Sequence, residues 1–189
     1  IPEGWRTQAL GEVVRFQNGK AAKAQEDGKY PLYGSNGIIG RINEARYRNG
    51  VIIGRVGAYC RSTAYCKSAF WASDNAIVAQ AVDEDCLSIE LIYHLLKNMG
   101  LRRYAGGSAQ PLLTQTVLKA LPTIVPDYET NTSFTDIVGL INDQIISLSE
   151  RVQVLRRTRD LLLPRLISGQ LDVSRLSRPR FGPMIHAKA

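Results

Sequence analysis

The sequence predicts an α+β protein, with a strand-rich domain over residues 1–130 followed by one long coiled-coil α-helix within residues 131–169. Three observations predict this fold class. Short β-branched runs broken by turn residues fill the first two thirds of the chain. An apolar residue then recurs every three or four positions over more than four heptads. Apolar residues make up 44% of the 189 residues, which is enough to build a packed core.

Three apolar runs in the first region have the length and flanking residues of strands. Residues 51–53 end at Gly54, and residues 76–79 follow the turn-forming residues 73–75. Residues 123–125 are stopped by Pro126, which lacks the N–H group that a sheet needs. The domain is therefore expected to be dominated by strands.

One helix is expected in this region, over residues 88–99. Ser88 can cap its first turn, because its hydroxyl can accept a main-chain N–H. The apolar residues expected on one helix face are Ile89, Ile92, Tyr93 and Leu96.

The second region predicts one helix over about residues 132–166. Thr132 or Ser133 is a plausible cap, and Asp136 in the first turn would favour the helix dipole. The residues that recur at this spacing form a row along the helix, which would be the seam that contacts a partner helix. They are Phe134, Val138, Ile141, Ile145, Leu148, Val152, Leu155, Arg159, Leu162 and Leu166. Its average step of about 3.5 residues stays on one side only if the helix supercoils around a partner. Such a helix would be roughly 50 Å long. A helix partner is the main interpretation, and folding back onto its own domain is the alternative.

The helix is expected to end near Gly169. Pro164 is predicted to interrupt the last turn, and Gly169 to stop the helix. Residues 170–189 are basic and irregular and are expected to form a flexible tail without an assigned function.

The basic charge is concentrated in one segment. The chain carries a formal net charge of +7, and residues 15–67 hold ten basic side chains against three acidic ones. Residues 68–99 hold five acidic side chains and a single lysine. A local positive excess suits a phosphate backbone, although an idle basic surface would have the same composition.

The cysteine and histidine pattern favours neither disulfides nor a metal site. The chain has three cysteines, Cys60, Cys66 and Cys86, and an odd number argues against a disulfide framework. We expect them to be buried, reduced thiols. His94 and His186 stand alone, whereas zinc sites need paired ligands at short spacing.

The sequence contains no membrane or secretion signal that we recognise. Its longest apolar runs are a few residues, and its first residues do not have the pattern of a signal peptide. We therefore expect a cytoplasmic protein.

No catalytic motif is complete. The glycine turns at 34–37 and 54–57 fit neither a P-loop nor a dinucleotide fingerprint. Ser73-Asp74-Asn75 matches one element of the penicillin-interacting serine enzymes, but the Ser-x-x-Lys and Lys-Thr-Gly elements are missing. A DNA methyltransferase would need a cofactor-binding sheet and an Asn-Pro-Pro-type tetrapeptide, which are also missing. The chain is therefore expected to be non-catalytic.

Glycine-bounded turns carry side chains that can contact nucleic acid. Arginine pairs with guanine and asparagine or glutamine with adenine, while hydroxyl and lysine side chains hold phosphates. The candidates are Lys20, Tyr33, Ser35, Asn36, Arg55, Tyr59, Arg61, Ser62, Lys67, Ser108 and Gln110. We expect Arg55, Arg61 and Lys67 to share one positive face with Lys20 and Ser35. The competing interpretation of each glycine is a turn that needs positive φ.

Several segments together resemble the recognition domain of type I restriction–modification specificity subunits. They are Pro31–Gly40, Val51–Cys60, Phe70–Ala76, Gly107–Pro111 and Leu121–Pro126. The helix ending at Leu161–Gly169 resembles the spacer helix of that family. The likeness covers about residues 3–173 and is specific only in combination.

The resemblance implies a target-recognition domain that selects the DNA sequence on which partner subunits act. A methyltransferase subunit would supply S-adenosylmethionine binding, and a restriction subunit would use ATP and Mg, so this chain would hold no cofactor itself. The usual subunit of the family has two recognition domains and two antiparallel spacer helices. This chain has one recognition domain and one spacer helix, which suggests either a half-subunit that forms an antiparallel homodimer or a fragment.

Two other interpretations stay open. The chain could be a coiled-coil assembly protein whose globular head binds another protein. A cysteine- or serine-based enzyme is disfavoured, because base partners for the nucleophile are missing.

Overall fold

A computed structural model describes residues 1–56, 62–106 and 112–171. The chain divides into two compact units, residues 1–140 and residues 141–189. A strand-rich sheet domain is followed by one long C-terminal helix, as the sequence predicts.

Most strands of the first unit join one six-stranded sheet. The strands are β1 Arg6–Ala9, β2 Val14–Asn18, β3 Tyr30–Gly34, β4 Gly37–Ile42, β5 Tyr47–Gly54, β6 Thr63–Ala72, β7 Ala76–Ala81 and β8 Pro122–Val125. The order in the large sheet is β2-β7-β5-β6-β3-β4, and β1 pairs with β8 in a separate two-stranded sheet. All described pairs are antiparallel except β3 with β6. The three strands expected from apolar runs are confirmed as parts of β5, β7 and β8.

The central strands are buried on both faces, which explains their unbroken apolar runs. Val51 and Ile53 of β5 face one core cluster, which also contains Ile92 and Leu96. Ile52 faces the other cluster, around Phe70. Neighbouring residues of a strand point to opposite faces, so a strand between two cores needs an apolar residue at each position.

Short helices cover the sheet and one long helix ends the described chain. They are α1 Leu10–Val13, α2 Ile89–Asn98, a 3₁₀ turn Leu101–Tyr104, α3 Gln115–Ala120 and α4 Tyr128–Ile167. The prediction for α2 is confirmed, since the Ser88 hydroxyl accepts the N–H of Leu91 at 3.3 Å. Ile89, Ile92 and Leu96 are buried.

The start of α4 corrects the predicted cap. The helix begins at Tyr128 rather than near residue 132, and Oδ1 of Asp127 accepts the N–H of Thr130 at 2.7 Å. Asp127 therefore caps the helix in place of Thr132 or Ser133. The proline before it cannot extend a strand ladder, and aspartate is a strong N-cap, so the helix starts one turn early.

The first turn of α4 lies within the first unit and is hydrogen-bonded to the segment that leads into α2. Asn131 is 2% exposed, and its Oδ1 accepts the N–H of Ser88 at 3.0 Å. Its Nδ2 donates to the carbonyl oxygens of Glu84 at 3.1 Å and Asp85 at 3.2 Å. One buried amide thus satisfies three main-chain groups where α2 begins.

The end of α4 differs from the expectation at one residue. The helix continues through Pro164 to Ile167, so the predicted interruption at this proline is wrong. Proline removes the one hydrogen bond that its N–H would donate, but the helical conformation continues for three more residues. Gly169 has φ +72° and follows the last turn, as predicted for a stop.

Candidate nucleic-acid interface

Segments distant in sequence meet at the main-chain carbonyl of Asn75. The hydroxyl of Ser35 donates to this oxygen at 2.7 Å, and the N–H of Arg55 donates to it at 3.1 Å. The hydroxyl of Ser62 in turn donates to the main-chain oxygen of Ser35. The β3–β4 turn, the end of β5, the start of β6 and the β6–β7 turn are therefore held together. We call this group of segments the Asn75 cluster.

The segment that follows β2 reaches the same cluster. Gly19 donates its N–H to the oxygen of Ala76, and Lys20 donates its N–H to that of Ala72, both at 2.9 Å. The indole N–H of Trp71 donates to the oxygen of Lys20 at 2.8 Å. A Cβ on Gly19 would lie 1.9 Å from the Ser73 oxygen, so only glycine allows this approach.

Arg41 holds the loop between β2 and β3 along the edge strand β4. Its Nε donates to the Gly28 oxygen at 2.7 Å, and one terminal nitrogen donates to the Lys29 oxygen at 2.5 Å. The carbonyl of Arg41 accepts the N–H of Gln25 at 2.8 Å. This loop exposes two lysines, Lys23 and Lys29, and two acidic residues, Glu26 and Asp27.

The structure brings some of the sequence-derived candidates together. The main chains of Lys20, Ser35, Arg55 and Ser62 all belong to the Asn75 cluster or bind it directly. Asn36 is exposed in the β3–β4 turn. Tyr59, Arg61, Ser108 and Gln110 lie outside the described residues. That Arg61 shares one positive face with the other candidates therefore stays a prediction.

Lys67 is the candidate that lies within a strand. It lies in the middle of β6 with an exposed side chain, five positions after Ser62.

Tyr33 is buried, which separates it from the other candidates. It is 8% exposed, and its ring packs edge-on against Phe70 with 5.6 Å between centroids. Burial, together with the nearby Cys66, raises the pKa of the phenol above its usual range. Its side chain belongs to the core and is not displayed to solvent.

Sequence reasoning missed the residues that organise the cluster. The sequence places Asn75 in a turn, in an incomplete enzyme motif and in a family-like segment, and Arg41 among the ten basic side chains of residues 15–67, without indicating that either organises a site. The available signal for Asn75 was a three-residue turn between two strand-like runs. The importance of its carbonyl depends on strand pairing, which no local pattern reveals.

The described cysteines are free thiols. Cys66 is buried as expected, Cys86 is partly buried, and both are free thiols; Cys60 is outside the described residues. Within residues 1–56, 62–106 and 112–171, no three His, Cys, Asp or Glu side chains cluster as a metal site would require. In the same ranges no helix has both the length and the apolar character needed to cross a membrane.

The second unit displays an apolar row along α4. The seven apolar residues of the row from Ile141 to Leu166 are each 38–66% exposed. Arg159 in this row forms an ion pair with Asp160 at 2.7 Å, and both side chains are 63% exposed. Earlier in the helix, Phe134 is partly buried and packs edge-on against His94 at 5.8 Å.

Charge is separated along the same helix. Residues 128–150 contain four acidic and no basic side chains, whereas residues 151–171 contain five arginines and one aspartate. The acidic residues recur every seven positions and therefore lie above one another, away from the apolar row. Arg151 and Arg156 occupy positions that flank the row.

Comparison with known proteins gives one consistent family. The family model for the type I restriction modification DNA specificity domain matches residues 2–153. The type I restriction enzyme EcoprrI specificity subunit of Escherichia coli is 33% identical over 135 residues, which cover 67% of this chain and 33% of that protein. The EcoDI specificity subunit of the same species is 23% identical over 97% of this chain and 43% of its own length.

Solved structures share the fold. The type I restriction–modification S subunit from M. genitalium superposes with a TM-score of 0.71 at 16% identity, over 87% of this chain and 46% of that one. The chain thus spans less than half the length of the relatives it matches.

Proposed function

Because the chain belongs to the family of type I restriction–modification DNA specificity domains, we propose that its first unit reads a sequence of double-stranded DNA. The protein would direct a methyltransferase subunit, and a restriction subunit in the full complex, to a bipartite target. The observation that carries the proposal is the Asn75 cluster, in which hydrogen bonds hold several polar turns together with the main chains of Lys20 and Arg55.

The cluster suits DNA recognition because it combines a rigid base with displayed polar groups. Loops that are held on a sheet can position side chains in a groove at a low entropic cost. The surrounding segment, residues 15–67, carries the positive excess that a phosphate backbone attracts. If the first unit instead bound a protein surface of average charge, it would not need this excess of positive charge.

Roles within the site follow from side-chain chemistry. Arg55 and Asn36 would contact base edges, since their donors match guanine and adenine. Lys20, Ser35, Ser62 and Lys67 would contact phosphates. Tyr59, Arg61, Ser108 and Gln110 remain candidates, and the buried Tyr33 is left out.

The chain would select the target and leave the chemistry to partner subunits. S-adenosylmethionine would be bound by the methyltransferase, and ATP and Mg by the restriction subunit. Purified chain would therefore neither methylate nor cleave DNA, while adding the methyltransferase would give site-specific methylation. Methylome sequencing with and without this chain measures this directly, and turnover by the chain alone would contradict it.

The α4 row would be covered by a second copy in an antiparallel helix pair. Seven apolar side chains left 38–66% exposed are a strong source of association free energy. A parallel, in-register pair would bring Arg151 of one copy beside Arg156 of the other, and Arg159 beside Arg159. An antiparallel pair avoids these contacts and places the acidic half of each helix near the arginine-rich half of the other.

Salt dependence separates DNA binding from protein binding. We expect duplex affinity, measured by fluorescence anisotropy, to fall steeply between about 50 and 200 mM salt. Single-stranded DNA of the same sequence is the matched control for simple charge attraction. A chain that binds no duplex at low salt but captures a methyltransferase through its head would favour the assembly-protein alternative.

A further inference from the structure

Two adjacent isoleucines are displayed to solvent beside the Asn75 cluster. Ile38 is 55% exposed and Ile39 is 56% exposed, both in the edge strand β4. Consecutive residues of a regular strand point to opposite faces, so a strand that lies on a core normally buries one of the two. Exposing both costs solvation free energy, which suggests that they contact something else.

A bulge in the β3–β4 hairpin explains why both are exposed. Tyr33 pairs with Ile38 and Leu32 pairs with Gly40, so Ile39 is the extra residue on β4. A bulge of this kind redirects side chains and is common beside functional sites. A Cβ on Gly34 would lie 2.9 Å from Cγ2 of Ile39, so the Ile39 side chain lies across the glycine.

The hairpin is held rigidly and belongs to residues 15–67, the segment that carries the positive excess. Ser35 at its turn is bound to Asn75 and Ser62, and Arg41 ties β4 to the loop that carries Lys23 and Lys29. Gly37 takes φ +93°, which closes the turn tightly. An apolar tip on a segment with net positive charge complements a surface that is anionic at its edges and apolar at its centre. The DNA major groove has this arrangement, with phosphates at its edges and thymine methyl groups on its floor.

We propose that the β3–β4 hairpin enters the major groove and that Ile38 and Ile39 contact the 5-methyl groups of thymines. This rests on the proposed function. A two-stranded ribbon fits a groove about 12 Å wide, and apolar side chains are the usual partners of the thymine methyl. Asn36, exposed at the same tip, would pair with adenine, so the hairpin would read A·T base pairs.

The test replaces thymine by deoxyuridine, which removes the methyl group and leaves base pairing unchanged. The probe is the duplex that methylome sequencing or selection from random duplexes identifies as the target. Each thymine is replaced singly, and affinity is measured by anisotropy. Wild type should lose affinity about four-fold at one or two thymines, the value for one buried methyl group.

The variant I38A/I39A should bind the unmodified target more weakly and should no longer respond to deoxyuridine at those positions. Val82→Ala is the matched control. Val82 is 50% exposed and follows the end of β7 that is opposite to Asn75. This variant should respond to deoxyuridine as wild type does. Circular dichroism and thermal unfolding establish that each variant is folded. The conservative variant I38V/I39V should restore most of the response.

Several results would overturn the inference. Equal responses of wild type and folded I38A/I39A to every deoxyuridine would overturn it and leave the proposed function standing. Loss of methyltransferase binding by I38A/I39A with unchanged DNA affinity would mark a protein-docking surface instead. Absence of duplex binding by wild type would overturn the proposed function itself, and the inference with it.

Discussion

The hydroxyl of Ser35 donates a 2.7 Å hydrogen bond to the main-chain carbonyl of Asn75, forty residues away along the chain. This bond joins the β3–β4 turn to the β6–β7 turn, and the same carbonyl accepts the N–H of Arg55. The positions of three segments therefore depend on one oxygen.

Ser35→Ala should loosen the hairpin. Loss of one hydrogen bond should lower the free energy of unfolding by about 1 kcal/mol, and DNA affinity should fall with it. Asn36→Ala is the matched control, because Asn36 is exposed in the same turn. It should lower DNA affinity while leaving stability unchanged. Urea unfolding measures the first quantity, and equal stability losses in both variants would contradict the assigned contacts.

Gly19→Ala and Gly139→Ala should have opposite effects on stability. A Cβ at residue 19 would lie 1.9 Å from a main-chain oxygen, which should cost about 1–3 kcal/mol as the backbone shifts. A Cβ at Gly139 would meet nothing within 4 Å, so alanine within α4 should stabilise by about 0.5–1 kcal/mol. Thermal unfolding of the two variants beside wild type checks the sign of each change.

Stability should decline at acid pH through Asp127. The main-chain N–H of Thr130 donates to its carboxylate, which holds the pKa of Asp127 below its usual value. The folded state therefore binds this proton less tightly than the unfolded state does. The stabilisation is present above the unfolded pKa, near pH 4, and is lost as pH falls through the folded pKa. Asp127→Asn keeps a capping oxygen but should lose this part of the pH dependence, measured as urea midpoints from pH 2 to 6. An unchanged pH profile in that variant would contradict the assignment.

Base-reading and phosphate-binding residues should separate by their salt behaviour. Arg55→Ala should cost about 1–3 kcal/mol at the specific site and relax selectivity there. Lys20→Ala should weaken all duplexes alike and reduce the salt slope by about one. Anisotropy titrations on target and scrambled duplexes at several salt concentrations provide both quantities. Uniform weakening by both variants would assign Arg55 to a phosphate.

Glutamate within the α4 row should abolish the proposed dimer and leave the first unit folded. I145E/L148E places two charges in the proposed seam, where they would be desolvated. S147E/Q153E adds the same charge away from the row and should remain dimeric. Sedimentation at micromolar concentration distinguishes them, with the monomer mass of 20.9 kDa as reference. A wild-type chain that stays monomeric with DNA and methyltransferase present would defeat the homodimer proposal.

Features that depend on neighbouring residues were predictable from the sequence. The Ser88 cap, the apolar runs of β5 and β7, and the stop at Gly169 each arise from contacts within a few residues. The start of α4 was missed because two competing capping signals lie five residues apart, and the stronger one follows a proline. The sequence predicted an exposed Tyr33, because the residue adjoins a glycine-bounded turn that resembles an exposed loop. In the structure, Phe70 of another strand covers its ring.

The sequence by itself determined the strand-like runs of β5, β7 and β8, the cap of α2, the apolar row of α4 and the family likeness, because these follow from periodicity and short-range chemistry. Only the tertiary structure decided that Lys20, Ser35, Arg55 and Ser62 meet around Asn75. It also decided that a bulge turns Ile38 and Ile39 outward. These relations depend on strand order and register. A one-residue change of register reverses which side chains face solvent, and no local pattern specifies the partner of a strand.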